Sequence, residues 1–392
     1  MKRFIFCLSM CCMVCLMGAQ NMYALGWQKY FGTSANLETA HDICRVSSSE
    51  TSGYVAVGMQ RNLSTGTWAA YIVKMDYNGT AAWKTTYRGP NNNQDCIAYA
   101  VTNAFGGGFI VTGSISNNDN WDIFAVKYST YGQIVWQWTS VGGSGYRCAY
   151  DIKQTSDNCY IMAGVSDDDK MAFLKIRSSG SYQWGKVINK TTDGSQVEQS
   201  IGYGVVQIGS DYHLCGQARL QSGDYQVMYV LLEVSGYIIH SKTFGTPYED
   251  CGYDIIENTN LRWPIVAGRY GKSSTDSDYW VMQIDPNGNL SSDSKHWGYS
   301  NQEEELTSIA QDPYGSFVVA GRADMDGWGR YNVYLAKLMS NLVIRSQYYY
   351  GGSSNAGSLG VKTTGTQTSI GIATVAWPGQ YGNGDVYVIR HD

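Results

Sequence analysis

A short alternating strand that ends in glycine returns along this chain at a nearly constant interval. It reads YVAVG to Gly58, FIVTG to Gly113, YIMAG to Gly164, HLCGQ around Gly216, PIVAG to Gly268 and FVVAG to Gly321, with IGIAT to Thr374 as a degenerate seventh copy. The successive spacings are 55, 51, 52, 52, 53 and 53 residues. A fixed period of this length marks a repeat architecture, in which one unit cannot bury its apolar face alone and must stack on the next.

Each copy carries three further strand-like runs. One precedes the glycine strand, as in AHDICRV, IAYAVTN, AYDIKQT, GYGVVQI, GYDIIEN, LTSIAQD and SLGVKTT. One follows it across a polar loop, as in YIVKMD, FAVKYS, AFLKIR, YVLLEV, WVMQID, YLAKLM and YVIRHD. A tight turn then leads to a fourth, as in WKTTYRG from Trp83 or WQWTSVGG from Trp136. In the clearest unit the turn is Asn78-Gly79, a pair whose twist suits a two-residue hairpin. Four short strands per unit of about fifty residues predict an all-β propeller of four-stranded blades. The last unit stops at Asp392, level with Asp76 and short of a fourth strand, while GWQKYFG at residues 26–32 supplies a strand of that type at the other end. Seven blades, closed by pairing the N-terminal strand with the C-terminal blade, are therefore expected, an arrangement that removes an open sheet edge.

The first residues carry Lys2 and Arg3, an apolar run from Phe4 to about Met17, and small residues at Gly18, Ala19 and Ala24. That pattern reads as a cleaved signal peptide over residues 1–24, leaving one propeller domain over 25–392 that is secreted, periplasmic or displayed at the cell surface. No second long apolar run predicts a transmembrane segment. The net charge of −5 becomes −7 without the leader's two cations. Scattered cations on a mildly acidic chain offer no stripe for nucleic acid. The six cysteines left after the leader, Cys44, Cys96, Cys148, Cys159, Cys215 and Cys251, lack both CxxC pairs and a disulfide framework. They read mainly as buried thiols, with one or two disulfides left open.

These runs resemble a group of secreted bacterial propeller repeats of the form W-x-K-x-Y-G-G, then G-G-Y-I-V-x-G, then Y-V-x-K-x-D-x-N-G. Trp27 to Gly32, Gly107 to Gly113, Tyr71 to Gly79 and Tyr349 to Gly352 carry that form. The resemblance implies a surface or exported propeller and no shared catalytic residues. The run Asp76 to Trp83 is also similar to the Asp-box of sialidases and the docking hairpin of quinoprotein propellers, in which Asp and Gly shape the turn and Trp packs between blades. The arginine triad, tyrosine nucleophile and acid of a sialidase do not assemble here.

The loops joining second to third strands are the most variable parts of the repeat, and binding residues tend to sit on such loops. Several place an acid beside a ring: Trp121 with Asp122, Asp224 with Tyr225, Asp278 with Tyr279 and Trp280, Asp326 with Trp328, and Tyr381 in the last loop. A ring covers the apolar face of a sugar or peptide while the acid takes its hydroxyl or amine, so these ten residues are the candidate ligand contacts. A competing reading makes Asp122 and Asp278 loop-shaping side chains, because they align just before the third strand together with Asn332 and Asp385. Asp167, Asp168 and Asp169 lack the alternating spacing of a Ca²⁺ loop, and Glu303, Glu304 and Glu305 read as a solvated acidic edge. No catalytic residue, metal site or cofactor is assigned. Two functions stay open: a monomeric, non-enzymatic binding or scaffold module meeting a carbohydrate or an extracellular protein or peptide, and a glycan-active hydrolase or lyase with two acids at the axial end of the propeller.

Overall fold

The structure, a computed structural model, describes residues 25–33, 35–46, 52–118, 120–140, 145–221, 223–324, 331–350, 360–363, 372–376 and 386–391. Residues 1–24, where a signal peptide is expected, lie outside them. The chain forms a β-propeller of four-stranded antiparallel blades. Six blades each use four consecutive strands. Blade 1 is Asn36–Val46, Gly53–Asn62, Trp68–Met75 and Ala81–Tyr87. Blade 2 is Cys96–Asn103, Phe109–Asn117, Asn120–Tyr128 and Ile134–Thr139. Blade 3 is Cys148–Gln154, Tyr160–Val165, Met171–Ile176 and Tyr182–Val187. Blade 4 is Val197–Ile208, Asp211–Leu220, Gln226–Leu232 and Ile238–Phe244. Blade 5 is Cys251–Asn258, Trp263–Ser273, Asp276–Gln283 and the short Lys295–Trp297. Blade 6 is Glu304–Gln311, Phe317–Asp324, Tyr331–Leu338 and Ile344–Tyr350.

Seven blades were expected, the last completed by the N-terminal strand; six blades of consecutive strands are found. The remaining strands form a composite four-stranded sheet in the order Leu25–Phe31, Val386–His391, Ile372–Ala376 and Gly360–Thr363. Its first strand pairs antiparallel with the last, Gln28 opposite Ile389. Gly360–Thr363 lies beside the first strand of blade 6 on one side and that of blade 1 on the other.

The third strand of each blade is sandwiched between neighbouring blades, so both of its faces are buried; Trp68–Met75, for example, is buried at all but its first residue. Apolar clusters fill the interfaces between blades. Those between blades 1 and 2, 3 and 4, and 5 and 6 are the largest among the described residues. The fourth strands are the outer edges, alternating between half-buried and exposed residues as in Ala81–Tyr87. Their exposed lysines, Lys84 and Lys186 among them, discourage edge-to-edge pairing.

Blades are latched through the turn between third and fourth strands. Asp76 Oδ1 accepts the backbone N–H groups of Asn78 and Thr80 at 2.8 Å, and Gly79 adopts φ +76°. The tryptophan that packs on this turn comes from the preceding sheet: Trp27 donates to Tyr77 O at 2.8 Å, and a Cβ on Gly79 would lie 2.7 Å from its ring. Trp136 donates to Ser178 O at 3.1 Å in the same way, and Trp83 and Trp184 cover Gly132 and Gly236. The six cysteines among the described residues are free, and five of them are buried.

Candidate functional site

The first strand of every consecutive blade contains a one-residue bulge at the same place in the repeat, and the bulged residues are His41, Tyr99, Tyr150, Tyr203, Tyr253 and Thr307. A bulge re-aims the extra side chain, and here each one turns toward the axis, where all six line one cavity. The rings form a continuous arc: His41 to Tyr99 at 4.8 Å between centroids, Tyr99 to Tyr150 at 4.9 Å, Tyr150 to Tyr203 at 5.3 Å and Tyr203 to Tyr253 at 5.4 Å.

The residue after the bulge alternates in character. Blades 1, 3 and 5 carry Asp42, Asp151 and Asp254, whereas blades 2, 4 and 6 carry Ala100, Gly204 and Ser308. Each carboxylate reaches into the next blade: Asp42 Oδ2 accepts Val101 N–H at 2.9 Å, Asp151 Oδ2 accepts Val205 N–H at 3.0 Å, and Asp254 Oδ2 accepts Ile309 N–H at 3.0 Å and the Ser308 hydroxyl at 2.7 Å. Their other oxygens cap the bulge at home, with Ile152 N–H on Asp151 at 2.8 Å and Ile255 N–H on Asp254 at 2.9 Å. Lys153 Nζ meets Asp151 Oδ1 at 2.6 Å. Burial works to lower the Lys153 pKa, but the carboxylates of Asp151, Asp254 and Asp42 outweigh it, and the ammonium is held charged. Burial also lowers the His41 pKa, against its 2.7 Å hydrogen bond with Ala98 O, so this imidazole stays neutral near pH 7. The cavity they enclose measures about 50 Å³. Ligand pockets run to roughly 300–1,000 Å³, while a water needs only some 10–15 Å³, so this one admits a few waters and no sugar ring.

On the loop face the ten candidate contacts separate. Asp122 is buried, accepting from Asn117 Nδ2 at 2.9 Å and pairing with Arg147. Asp278 is buried too, between Lys272 Nζ at 2.8 Å and His296 Nδ1 at 2.9 Å. Both therefore shape their loops. Tyr279 and Trp280 are corrected as contacts: they are 1% and 3% exposed. Tyr279 stacks on Tyr334 at 4.0 Å and Trp280 meets Tyr270 edge-on at 5.1 Å, both within blade-to-blade cores. Trp121 is half-buried beside Tyr146, ring to ring at 6.3 Å. Asp326, Trp328 and Tyr381 lie outside the described residues. The acidic run is also corrected, because Glu304 and Glu305 are buried. Glu305 Oε1 takes Arg322 Nε at 2.7 Å while Tyr253 donates to its Oε2 at 3.1 Å.

Asp224 and Tyr225 border a real depression. A cleft of about 400 Å³ opens between the crossover into blade 4 and its second-to-third loop, lined by Ser195, Gln196, Leu220, Gln221, Gly223, Asp224 and Gln226. Tyr225 buttresses it: its hydroxyl donates to Gln199 Oε1 at 2.7 Å, Arg219 lies 5.7 Å over its ring, and its carbonyl accepts Asp250 N–H at 2.8 Å. The most exposed rings among the described residues, Tyr131, Tyr237 and Tyr314, sit on the opposite face, in the turns.

No family model matches the chain, and no curated protein does. Solved structures do. A crystal structure of Sqt1 from Chaetomium thermophilum aligns at TM-score 0.53 and 12% identity over 92% of this chain and 96% of that one. A subtype N10 neuraminidase-like protein of A/little yellow-shouldered bat/Guatemala aligns at 0.44 and 9% identity over 94% and 98%. An endo-arabinase from Bacteroides thetaiotaomicron aligns at 0.39 and 11% over 62% and 92%. At these identities the likeness to Sqt1 shows the propeller fold and nothing of function, and the two weaker ones carry no argument.

Proposed function

We propose that this protein is an exported, monomeric propeller of seven blades that binds a carbohydrate or an extracellular protein or peptide through its loop face and catalyses no reaction. The plugged axis carries the reading. A glycan-active enzyme of the axial type needs two acids on either side of a sugar-sized space, and the axial acids here are spent on backbone N–H groups around a 50 Å³ cavity. Export rests on the leader pattern of residues 1–24. The composite sheet acts as the seventh blade, a role supported by Trp27, which docks on the turn of blade 1 as Trp136 docks on that of blade 3.

A glycan and peptide array tests the proposal with three proteins: the mature chain, a loop-face variant Trp121→Ala/Gln221→Ala/Asp224→Ala, and a turn-face variant Tyr131→Ala/Tyr237→Ala/Tyr314→Ala. Binding by the mature chain that only the loop-face variant loses is the expected result. Loss confined to the turn-face variant moves the interaction surface to the other face. Turnover of any arrayed glycan overturns the non-enzymatic reading.

A further inference from the structure

Resting on the loop-face reading, we infer that the blade 4 cleft is a site for an uncharged, hydroxyl-rich ligand, a short neutral saccharide segment. Its volume of about 400 Å³ falls within the ordinary range of small-molecule pockets, unlike the axial cavity. Both walls are tied to the blade. On one side the crossover is tied by Thr191 N–H to Ser195 O at 3.0 Å, Val197 N–H to Asn189 O at 3.1 Å and Thr192 N–H to Ser241 O at 2.7 Å. On the other, Leu220 pairs in register with Val197, and Tyr225 is fixed by the three contacts already given.

The lining chemistry selects the ligand. Gln196, Gln221 and Gln226 each bring an amide that both donates and accepts, and Ser195 adds a hydroxyl of the same dual character. A sugar hydroxyl needs that pairing, because it too donates and accepts. Among the described residues no lysine or arginine lines the cleft, so a phosphate, sulfate or carboxylate would face Asp224 with no cation in the lining to pair with. Among the described lining residues Leu220 is the one large apolar side chain, enough to lie under one C–H face of a ring and too little for an aromatic or lipid ligand. Gln196, Gln221 and Asp224 are exposed, so their polar groups point into solvent that a ligand would displace.

Isothermal titration of the mature protein with neutral, amino-substituted and acidic oligosaccharides, and with peptides, tests the inference on four variants checked for unchanged melting. Gln196→Ala and Gln221→Ala should each weaken neutral saccharide binding about five- to tenfold, the scale of one lost hydrogen bond. Asp224→Asn should leave it within about threefold, since an amide replaces the carboxylate as an acceptor, and Trp121→Ala should leave it unchanged. Neutral saccharide binding that survives both glutamine changes but falls in Trp121→Ala refutes the cleft and leaves the loop-face reading standing. A cationic ligand lost in Asp224→Asn refutes the ligand class. Binding of nothing in any class defeats the loop-face reading together with this one.

Discussion

Replacing Glu304 with glutamine should stabilise this protein at pH 8 and leave it unchanged at pH 5. Glu304 is 1% exposed; its Oε1 accepts Tyr299 N–H at 3.1 Å, and its Oε2 has no hydrogen-bond partner. Gly298 lets a second carboxyl crowd it: a Cβ there would stand 2.5 Å from Asp278 Oδ1 and 2.8 Å from Glu304 Oε2. Burial, then the negative charges of Asp278 and Asp276, push the Glu304 carboxyl up to about 7, against the pull of Tyr299 N–H and Lys272. Between pH 4.5 and 7 the native protein thus keeps a proton that the unfolded chain has released, so stability falls as pH rises through that window and stays lower above it. A carboxyl moved this far corresponds to roughly 1.5–3 kcal/mol. Glutamine keeps the acceptor for Tyr299 and offers an N–H to Asp278 without ionising. At about 2 °C per kcal/mol the variant should melt roughly 3–6 °C above wild type at pH 8 in calorimetry. An equal difference between the two proteins at pH 5 and pH 8 refutes the reasoning.

Three further outcomes are expected. Asp151→Ala strips Lys153 of its carboxylate and Val205 and Ile152 of an acceptor, and should cost about 3–5 kcal/mol in denaturant unfolding; adding Lys153→Met should recover part of the loss, and no recovery would show that the ammonium is not the stranded charge. Gly79→Ala and Gly106→Ala meet the same φ of +76°, but only the first drives a Cβ into Trp27, so it should cost at least about 1 kcal/mol more; equal costs would remove the tryptophan latch from the argument. Burial pushes the Cys96 and Cys148 thiols up to about 12, and every thiol among the described residues is free, so reducing agent should leave the melting temperature unchanged and a maleimide should label half-buried Cys159 first; prior labelling of Cys148 would contradict this.

The blades were legible because backbone geometry imposes them. In the six consecutive blades the glycine of the second strand lies where a Cβ would meet the first strand's backbone, as at Gly58, 2.0 Å from Thr39 O, and a larger residue at these six positions would collide with it. The candidate site was less legible, for two reasons. Adjacent residues on a strand point to opposite faces, which suggests that one of Tyr279 and Trp280 reaches solvent. Inside a propeller both faces of a third strand are covered by neighbouring blades, so neither does. The axial arc was missed because the bulge shifts strand alternation by one residue, so that Tyr99, Tyr150, Tyr203 and Tyr253 look like ordinary strand positions. Their signal was there, an aromatic at the same place in the first strand of five units, counting His41. The cleft beside blade 4 is formed by two segments separated in sequence, and nothing in either one announces it.

The alternation of Asp42, Asp151 and Asp254 with Ala100, Gly204 and Ser308 bears on how such a chain lengthens. Copying one blade at a time would set two carboxylates side by side or leave a bulge without its cap. Copying two together preserves every bridge, and the three largest apolar clusters fall within the same pairs. A stretch of about a hundred residues is therefore the smallest piece that can be duplicated or deleted with its polar bonds intact, and the composite sheet, assembled from both ends of the chain, belongs to no such pair.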